Sequence, residues 1–237
     1  MWIWRALALP SRLRVVSHLS HERSEVEAIT FLAHFKARTH GEALLFTSDK
    51  LPAYLTALIA NYSTPEPPPT KRGRGRPRKE PKRIIDPDLC YGQVDKRREG
   101  GRVVEVRRRI VLGSADRIAQ ILEADGCGSQ INTSYVERDN LTSRQSNGRL
   151  VRKTLSHSKK KFYLQRQLDL EDAVFNFVRP HGALRLKLAE PGLYARQWEQ
   201  RTPAMVAGVT DHIWSLEELL SYRLPPPPVQ KCPSRLR

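Results

Sequence analysis

The stretch Ala43-Leu-Leu-Phe-Thr-Ser-Asp49-Lys-Leu-Pro-Ala-Tyr54 determines the expected class of fold. Its continuous apolar run predicts a buried strand that stops at Asp49, and its second half predicts a helix from about Leu51. Because ligands gather where the strands of α/β sheets end, Asp49 is the first candidate site residue.

Strands and helices alternate on both sides of this stretch. Upstream, residues 2–9 and 13–19 predict a hairpin, and Ser24 with Glu27 predicts a capped helix. The elements predicted downstream are strands over residues 89–94 and 102–112 around a turn at 96–101, helices over 116–124 and 158–177, and a strand over 131–136. Further helices are predicted after the caps Thr202 and Ser215. This order predicts a mixed α/β fold.

Glu137 is the second candidate acid, because it opens a helix directly after a predicted strand. Asn140 and Arg144 follow it at i+3 and i+7, which places the three side chains on one helix face. A carboxylate, an amide and a guanidinium on one face suit a phosphodiester bound to magnesium. A solvated polar face would show the same spacing, so spacing alone leaves both interpretations open.

Composition points to a nucleic-acid partner. The 237 residues contain 41 Lys and Arg against 25 Asp and Glu, a net charge of +16 that favours a polyanion. An apolar share of 39% excludes wholesale disorder. Cys90, Cys127 and Cys232 lie far apart, which argues against a disulfide framework or a zinc ribbon. No apolar stretch predicts a membrane helix or a signal peptide, so we expect a cytoplasmic, nucleoid-associated protein.

Two basic segments are candidate DNA-binding elements. The core Arg74-Gly-Arg-Pro77 looks like an AT-hook, in which arginines enter the minor groove of A·T-rich DNA, and a flexible basic linker is the alternative. A second basic stretch runs from Arg149 through Lys153 to residue 161 and could follow the DNA backbone. The candidate DNA-binding residues of the first segment are Lys71, Arg74, Arg76 and Arg78.

Several motifs resemble those of a known family. Phe46-Thr-Ser-Asp49-Lys-Leu-Pro-Ala-Tyr54 resembles the second-aspartate motif of bacterial insertion-sequence transposases. Asn132-Thr-Ser-Tyr-Val-Glu137-Arg-Asp-Asn140-Leu-Thr-Ser-Arg144 resembles their glutamate motif. Lys153-Thr-Leu-Ser156 and Asn176-Phe-Val-Arg-Pro-His181-Gly-Ala-Leu184 look like the C-terminal motifs of the same group. Over roughly residues 2–222 the chain is similar to the IS-one-like branch of DDE transposases.

The resemblance implies an RNase H-like fold, a mixed sheet flanked by helices that brings three acids around two divalent metals, Mg²⁺ or Mn²⁺. Asp49 would match the second acid and Glu137 the third, both as catalytic metal ligands. The implied partner is double-stranded DNA, both the element ends and the target. Arg144 would match the family's basic residue on the glutamate helix and contact the DNA backbone. The other candidate DNA-binding residues are Asn140, Arg149, Lys153, Arg179 and His181. His181 lies in the family motif and could instead serve packing.

The sequence departs from this family at its start. The family's first aspartate lies on a central first strand that precedes a Trp-rich strand, whereas this chain has no Asp or Glu between Met1 and His21. We therefore expect an RNase H-like fold that lacks its usual first strand and a polypeptide that is inactive alone. It would be a truncated copy or the downstream product of a split frame, with a second copy or the upstream product as partner.

The expected organisation follows from these predictions. It comprises a first part of the catalytic core (1–62), a basic Pro-rich arm (63–88), an inserted basic hairpin with a short helix (89–128), the rest of the core (129–222) and a disordered tail (223–237). The rival hypothesis is a DNA-binding protein of the AT-hook type without catalysis. An RNA-processing nuclease of the same fold is disfavoured by the transposase-like motifs after Glu137.

Overall fold

The computed structural model describes residues 1–41, 45–66, 82–192 and 196–223. The chain divides into two units, Met1–Asp172 and Ala173–Arg237. Helices and small mixed sheets make up the structure, so the predicted mixed α/β class is confirmed. In the described ranges, no helix is both long enough and apolar enough to cross a membrane.

The first unit begins with the predicted hairpin. Strand β1 (Trp2–Ala8) pairs antiparallel with β2 (Leu13–Ser20). Helix α1 (Glu25–Arg38) follows, and the Ser24 hydroxyl accepts a hydrogen bond from the Glu27 amide at 3.4 Å. The side-chain cap predicted at Ser24 is therefore confirmed.

The strand and helix around Asp49 also form. Strand β3 (Leu45–Asp49) ends at the predicted residue, and α2 (Pro52–Asn61) begins with proline in its first turn. Proline suits this position because the backbone amides of the first helical turn have no acceptor within the helix, so the lack of an N–H group costs no hydrogen bond.

Both ends of the predicted Pro-rich arm are ordered as a small sheet. Strand β4 (Ser63–Pro65) pairs antiparallel with β5 (Arg83–Ile85). The two ends of the segment predicted as a basic Pro-rich arm (63–88) are therefore strands that pair with each other. The AT-hook-like residues Lys71, Arg74, Arg76 and Arg78 lie outside the described residues.

The basic hairpin is longer than predicted. Strand β6 (Cys90–Glu99) pairs in parallel with β3 and antiparallel with β7 (Arg102–Leu112), which gives the sheet order β3-β6-β7. The predicted turn over residues 96–101 shrinks to Gly100 and Gly101, whose φ angles are 56° and 81°. Two successive residues with positive φ make the tightest hairpin turn, so the charged residues before them stay in the strand.

Three helices complete the first unit: α3 (Ala115–Ala124), α4 (Ser134–Ser146) and α5 (Lys161–Ala173). The strand predicted over residues 131–136 is wrong, because α4 already begins at Ser134. Ile131 is buried against β6 instead of lying in a strand. It packs so closely on Gly92 that a Cβ atom on that glycine would lie 2.4 Å from Ile131 Cδ1. Tertiary packing, not a strand, explains this apolar residue.

Helices cover both faces of the strands. Helices α1 and α2 pack on one face of β1, β2 and β6, in a core of Trp4, Val16, Phe31, Leu32, Leu58 and Tyr91 with their neighbours. On the opposite face, α5 packs on the first hairpin through Leu19, Leu164 and Leu168, and α3 packs on β6 through Val94, Ile118 and Leu122. The strands are therefore the middle layer of this unit.

The middle layer is divided into two sheets. Among the strands that the structure describes, β1 pairs only with β2, and β3 pairs only with β6. The Arg23 guanidinium links the two sheets, since it lies 5.4 Å from the Trp2 ring centroid on β1 and 3.1 Å from Asp49 Oδ2 at the end of β3. The start of β1 and the end of β3 are thus close, and the two sheets share one core without sharing a strand pair.

The second unit contains a further strand pair, two short α-helices, a π-helix and a 3-10 helix. Its described elements are the π-helix Val174–Val178, the 3-10 helix Gly182–Leu184, β8 (Leu186–Gly192), β9 (Arg196–Glu199), α6 (Pro203–Val206) and α7 (Leu216–Ser221). The predicted caps are confirmed, because the hydroxyls of Thr202 and Ser215 accept backbone hydrogen bonds at the starts of α6 and α7. The tail predicted to be disordered lies, beyond Arg223, outside the described residues.

Candidate functional site

Asp49 lies at the carboxyl end of β3, opposite Val94 of β6. Its Oδ2 atom accepts a hydrogen bond from Arg23 Nη2 at 3.1 Å, and its Oδ1 atom accepts one from the Leu51 amide at 3.2 Å. The side chain is still 57% exposed. The carboxylate is therefore held in place by Arg23, which precedes α1, and by the N-cap residue of α2, but it stays accessible.

Glu137 lies in the first turn of α4. Its Oε1 atom accepts hydrogen bonds from Lys96 Nζ at 2.5 Å and from the Thr133 hydroxyl at 2.7 Å. Partial burial raises the pKa of Glu137, but these two hydrogen bonds and the charges of Lys96 and Arg98 lower it more, so the pKa lies below its ordinary value. Glu137 is thus a stable anion at neutral pH.

Strand β6 connects the two acids. Lys96 lies two residues beyond Val94 on β6, so the two side chains project to the same face of the sheet. Asp49 pairs with Val94 in the parallel register and therefore shares that face. The structure therefore places Asp49 and Glu137 at the same end of the three-stranded sheet. Lys50 Nζ binds Asp95 Oδ2 at 2.8 Å beside them.

Asp95 and Lys96 are the site residues that sequence reasoning missed. A turn is predicted from residue 96, whereas both residues lie in the extended part of β6. The pair Gly100-Gly101 is the signal that could have located them, since a two-residue glycine turn moves the end of the strand to Glu99.

The site does not offer a complete ligand set for a metal. Among the described residues, no group of three or more His, Cys, Asp or Glu side chains could hold a metal ion. Asp49 and Glu137 are each engaged by a basic side chain, Arg23 and Lys96 respectively. A divalent cation would have to replace both bases, so the two carboxylates fit the expected Mg²⁺ or Mn²⁺ only in part.

Asn140 and Arg144 follow Glu137 along α4 as predicted. Arg144 Nε donates to the Asn140 carbonyl at 3.1 Å, which turns the guanidinium back along its own helix. Both side chains are half-buried. In this structure they stabilise α4 and leave only part of their surface for a ligand.

Asp139 is the most strongly bound acid of α4, and sequence reasoning gave it no role. Its carboxylate accepts hydrogen bonds from Arg14 at 2.7 and 2.9 Å and from Arg5 at 3.1 Å. Its side chain is 6% exposed. Arg5 and Arg14 lie in mainly buried strands that contain no acid, and they are the sequence signal for a buried partner of this kind.

The remaining predicted DNA-binding residues are dispersed. Arg149 is exposed and donates to the Ser158 hydroxyl at 3.0 Å, and Lys153 is exposed. Arg179 and His181 lie in the second unit, where Arg179 is exposed and His181 Nδ1 accepts from the Ala183 amide at 3.3 Å. The two residues of the second unit are described on their own and are not assigned to the site at Asp49 and Glu137.

Comparisons of the chain with protein-family models, with curated proteins and with solved structures found no match. The transposase hypothesis therefore depends on the motifs quoted above and on the placement of Asp49 and Glu137.

Proposed function

We propose that this chain is catalytic-core sequence of a bacterial insertion-element transposase, that it binds double-stranded DNA, and that Asp49 and Glu137 are two of the three acids of a DDE site. The main support is their common position at one end of the β3-β6-β7 sheet, with Lys96 of β6 holding Glu137. Each acid also lies within the motif that resembles its counterpart in the family.

The divided sheet supports an RNase H-like origin of the fold. In the family that the motifs resemble, the first strand is central and carries the first aspartate. Loss of a central strand would leave two sheets packed under the same helices, and in each sheet the strand next to the gap would have an unpaired edge. In the described residues, β1 and β3 have such edges and share the core under α1 and α2.

Two carboxylates out of three make catalysis by this chain alone unfavourable. Each of them is neutralised by a cationic side chain, and no group of three His, Cys, Asp or Glu side chains in the described part of the chain could hold a metal ion. We therefore assign no reaction step to the chain and propose that it binds DNA without cutting it. A metal, when bound, would activate the attacking oxygen of a phosphodiester exchange.

The test is a strand-transfer assay with labelled element ends and a supercoiled target, in Mg²⁺ and in Mn²⁺. We expect a retarded protein–DNA complex and no cleaved or joined product. Metal-dependent product that Asp49→Asn and Glu137→Gln both abolish would contradict the proposed inactivity. Genomic DNA around the gene should carry inverted repeats, and their absence would contradict the transposase origin.

A second candidate function is DNA binding without any transposase chemistry. It is favoured by the ion pairs of both acids with Arg23 and Lys96, which suit structural carboxylates. In that case the affinity for A·T-rich duplexes should exceed that for G·C-rich duplexes, and Arg74→Ala with Arg76→Ala should remove the difference. Equal affinities for both duplexes would argue against this candidate.

A further inference from the structure

The hairpin of β6 and β7 extends beyond the core of the first unit. Between residues 95 and 109 no residue is buried, and Val103, Val104 and Val106 are 46%, 52% and 38% exposed. A two-stranded ribbon without a packed face is only marginally stable in water. These valines belong to none of the described core clusters, so the ribbon gains no stability from core packing there.

The ribbon is strongly basic. Residues 95–109 include seven Lys or Arg and three Asp or Glu. Ion pairs join Lys96 to Glu137, Arg97 to Glu99, and Arg107 Nε to Glu105 Oε1, the last at 2.7 Å. Three exposed arginines, Arg98, Arg102 and Arg109, form no ion pair with any residue in the described part of the chain. Arg102 and Arg109 thus offer their charge to an anionic partner, and so does Arg98, whose charge also acts on Glu137.

The base of the ribbon is fixed to α4 and to the segment before it. Lys96 binds Glu137 of α4, and Arg108 Nε donates to the Ile131 carbonyl at 2.9 Å. Val94 and Cys90 hold the start of β6 in the core on the α3 side. The ribbon therefore extends in a set direction from the end of the sheet that carries Asp49 and Glu137.

We propose that this hairpin is a DNA-binding ribbon that enters the major groove of double-stranded DNA, with Arg98, Arg102 and Arg109 on phosphates. A major groove about 12 Å wide admits a two-stranded ribbon. The five residue steps from Val94 to Glu99 extend it by about 17 Å, at roughly 3.4 Å per residue. The inference deepens the proposed function and rests on it for the choice of DNA as partner.

Duplex DNA suits the ribbon better than single-stranded DNA does. Single-stranded DNA is bound mainly by aromatic side chains on which its bases stack. Residues 95–109 contain no Phe, Trp, Tyr or His. Charge and shape are therefore what the ribbon offers, and both match the backbone and the groove of a duplex.

The test is fluorescence anisotropy with the full chain and a labelled 30-base-pair duplex, in EDTA and at several KCl concentrations. The triple variant Arg98→Gln, Arg102→Gln and Arg109→Gln should weaken binding about 10- to 100-fold at low salt. The slope of log affinity against log salt should fall by about 2 to 3, since each lost phosphate contact removes about 0.9. If that variant does not fold, Arg102→Gln alone at the turn should lower the slope by about 1.

Two matched variants control for charge. Arg166→Gln, Arg185→Gln and Arg223→Gln remove the same charge from exposed positions elsewhere and should change the affinity less than threefold. Arg→Lys changes at the three ribbon positions should keep the salt slope. Equal losses in the ribbon and control variants would overturn the proposal. If the wild-type chain does not bind the duplex, DNA is not the partner. A loss of DNA affinity that occurs in EDTA and only in the ribbon variant supports the ribbon, and this result does not depend on whether Asp49 and Glu137 are catalytic.

Discussion

At the scale of single residues, the site is organised by ion pairs whose partners are distant in sequence. Lys96 reaches Glu137 across 41 positions, and Arg14 reaches Asp139 across 125. The first pair is half-exposed and adjusts the charge of a candidate site, while the second is buried and supports α4 on the hairpin β1–β2. The two pairs should respond differently to mutation.

The pKa of Glu137 depends on Lys96. Lys96→Met removes a hydrogen bond and a positive charge that both lower this pKa, so the pKa should rise. In the wild type the folded pKa of Glu137 lies below the ordinary value of about 4.5. The pair of Lys96 and Glu137 therefore stabilises the fold above about pH 4.5, and this stabilisation is lost as pH falls through the folded pKa. Carboxyl ¹³C NMR titration measures the shift. Lys50→Met, which removes the partner of Asp95, should leave the pKa of Glu137 unchanged.

Asp139→Asn should destabilise the fold strongly. The neutral amide leaves Arg5 and Arg14 buried with part of their charge uncompensated, which typically costs about 3–5 kcal/mol in the free energy of unfolding. Urea denaturation measures this difference. Asp169→Asn, at an exposed pair with Arg166, should cost less than about 1 kcal/mol. Similar losses in both variants would show that burial of the charges does not matter here.

At the scale of elements, the hairpin β6–β7 shows how glycine positions set strand length. Gly100 and Gly101 make the turn, and Gly113 ends β7 with a φ of 82°. A Cβ on Gly113 would lie 2.5 Å from Cys90 Sγ, so β7 can leave the sheet only where no side chain is present. The strands were predicted by their apolar residues, but their lengths follow from these backbone requirements.

Gly113→Ala should therefore lower the stability of the first unit. Positive φ and the contact with Cys90 together should cost about 1–3 kcal/mol in the free energy of unfolding. Thermal unfolding followed by circular dichroism measures the change. Gly148→Ala is the matched control, because a Cβ there meets no atom within 4 Å, and its effect should stay within about 0.5 kcal/mol. Equal melting temperatures for the two variants would contradict the steric argument.

At the scale of the whole molecule, pH should act through the buried charges between the first hairpin and α5. Burial raises the pKa of Asp172. The charges of Arg5 and Arg14 lower this pKa and the charge of Glu171 raises it, and the net result is a pKa above the ordinary value of 3.8. Asp172 lies 3.5 Å from Arg5 Nη2 and 3.4 Å from Arg14 Nη1. The folded state therefore binds a proton here more readily than the unfolded state does.

The stability of the wild type relative to Asp172→Asn should fall as pH rises. The fall begins near pH 3.8, the ordinary pKa, and ends above the higher folded pKa, where the difference becomes constant. Urea denaturation of both proteins between pH 3.5 and 7 measures it. If the difference in the free energy of unfolding between the two proteins is constant or grows with pH, the effect of the arginines on the pKa of Asp172 outweighs that of burial.

Local patterns in the sequence were enough for most elements of the first unit. The apolar run that ends at Asp49, the cap at Ser24 and the hairpin before it depend on neighbouring residues, and all three form where predicted. The same patterns predict a strand at residues 131–136 that does not form. In the sequence, an apolar residue of a buried strand cannot be distinguished from one in a loop that packs on a strand.

What the sequence alone determined is the mixed α/β class, the basic charge and the two acids at element ends, since these follow from local periodicity and composition. Only the tertiary structure decided that Lys96 engages Glu137, that Asp139 is buried between two arginines, and that β1–β2 and β3–β6–β7 are separate sheets. The physical reason is that long-range pairing depends on which surfaces remain to be buried once the local elements have formed. No short window of sequence contains that information.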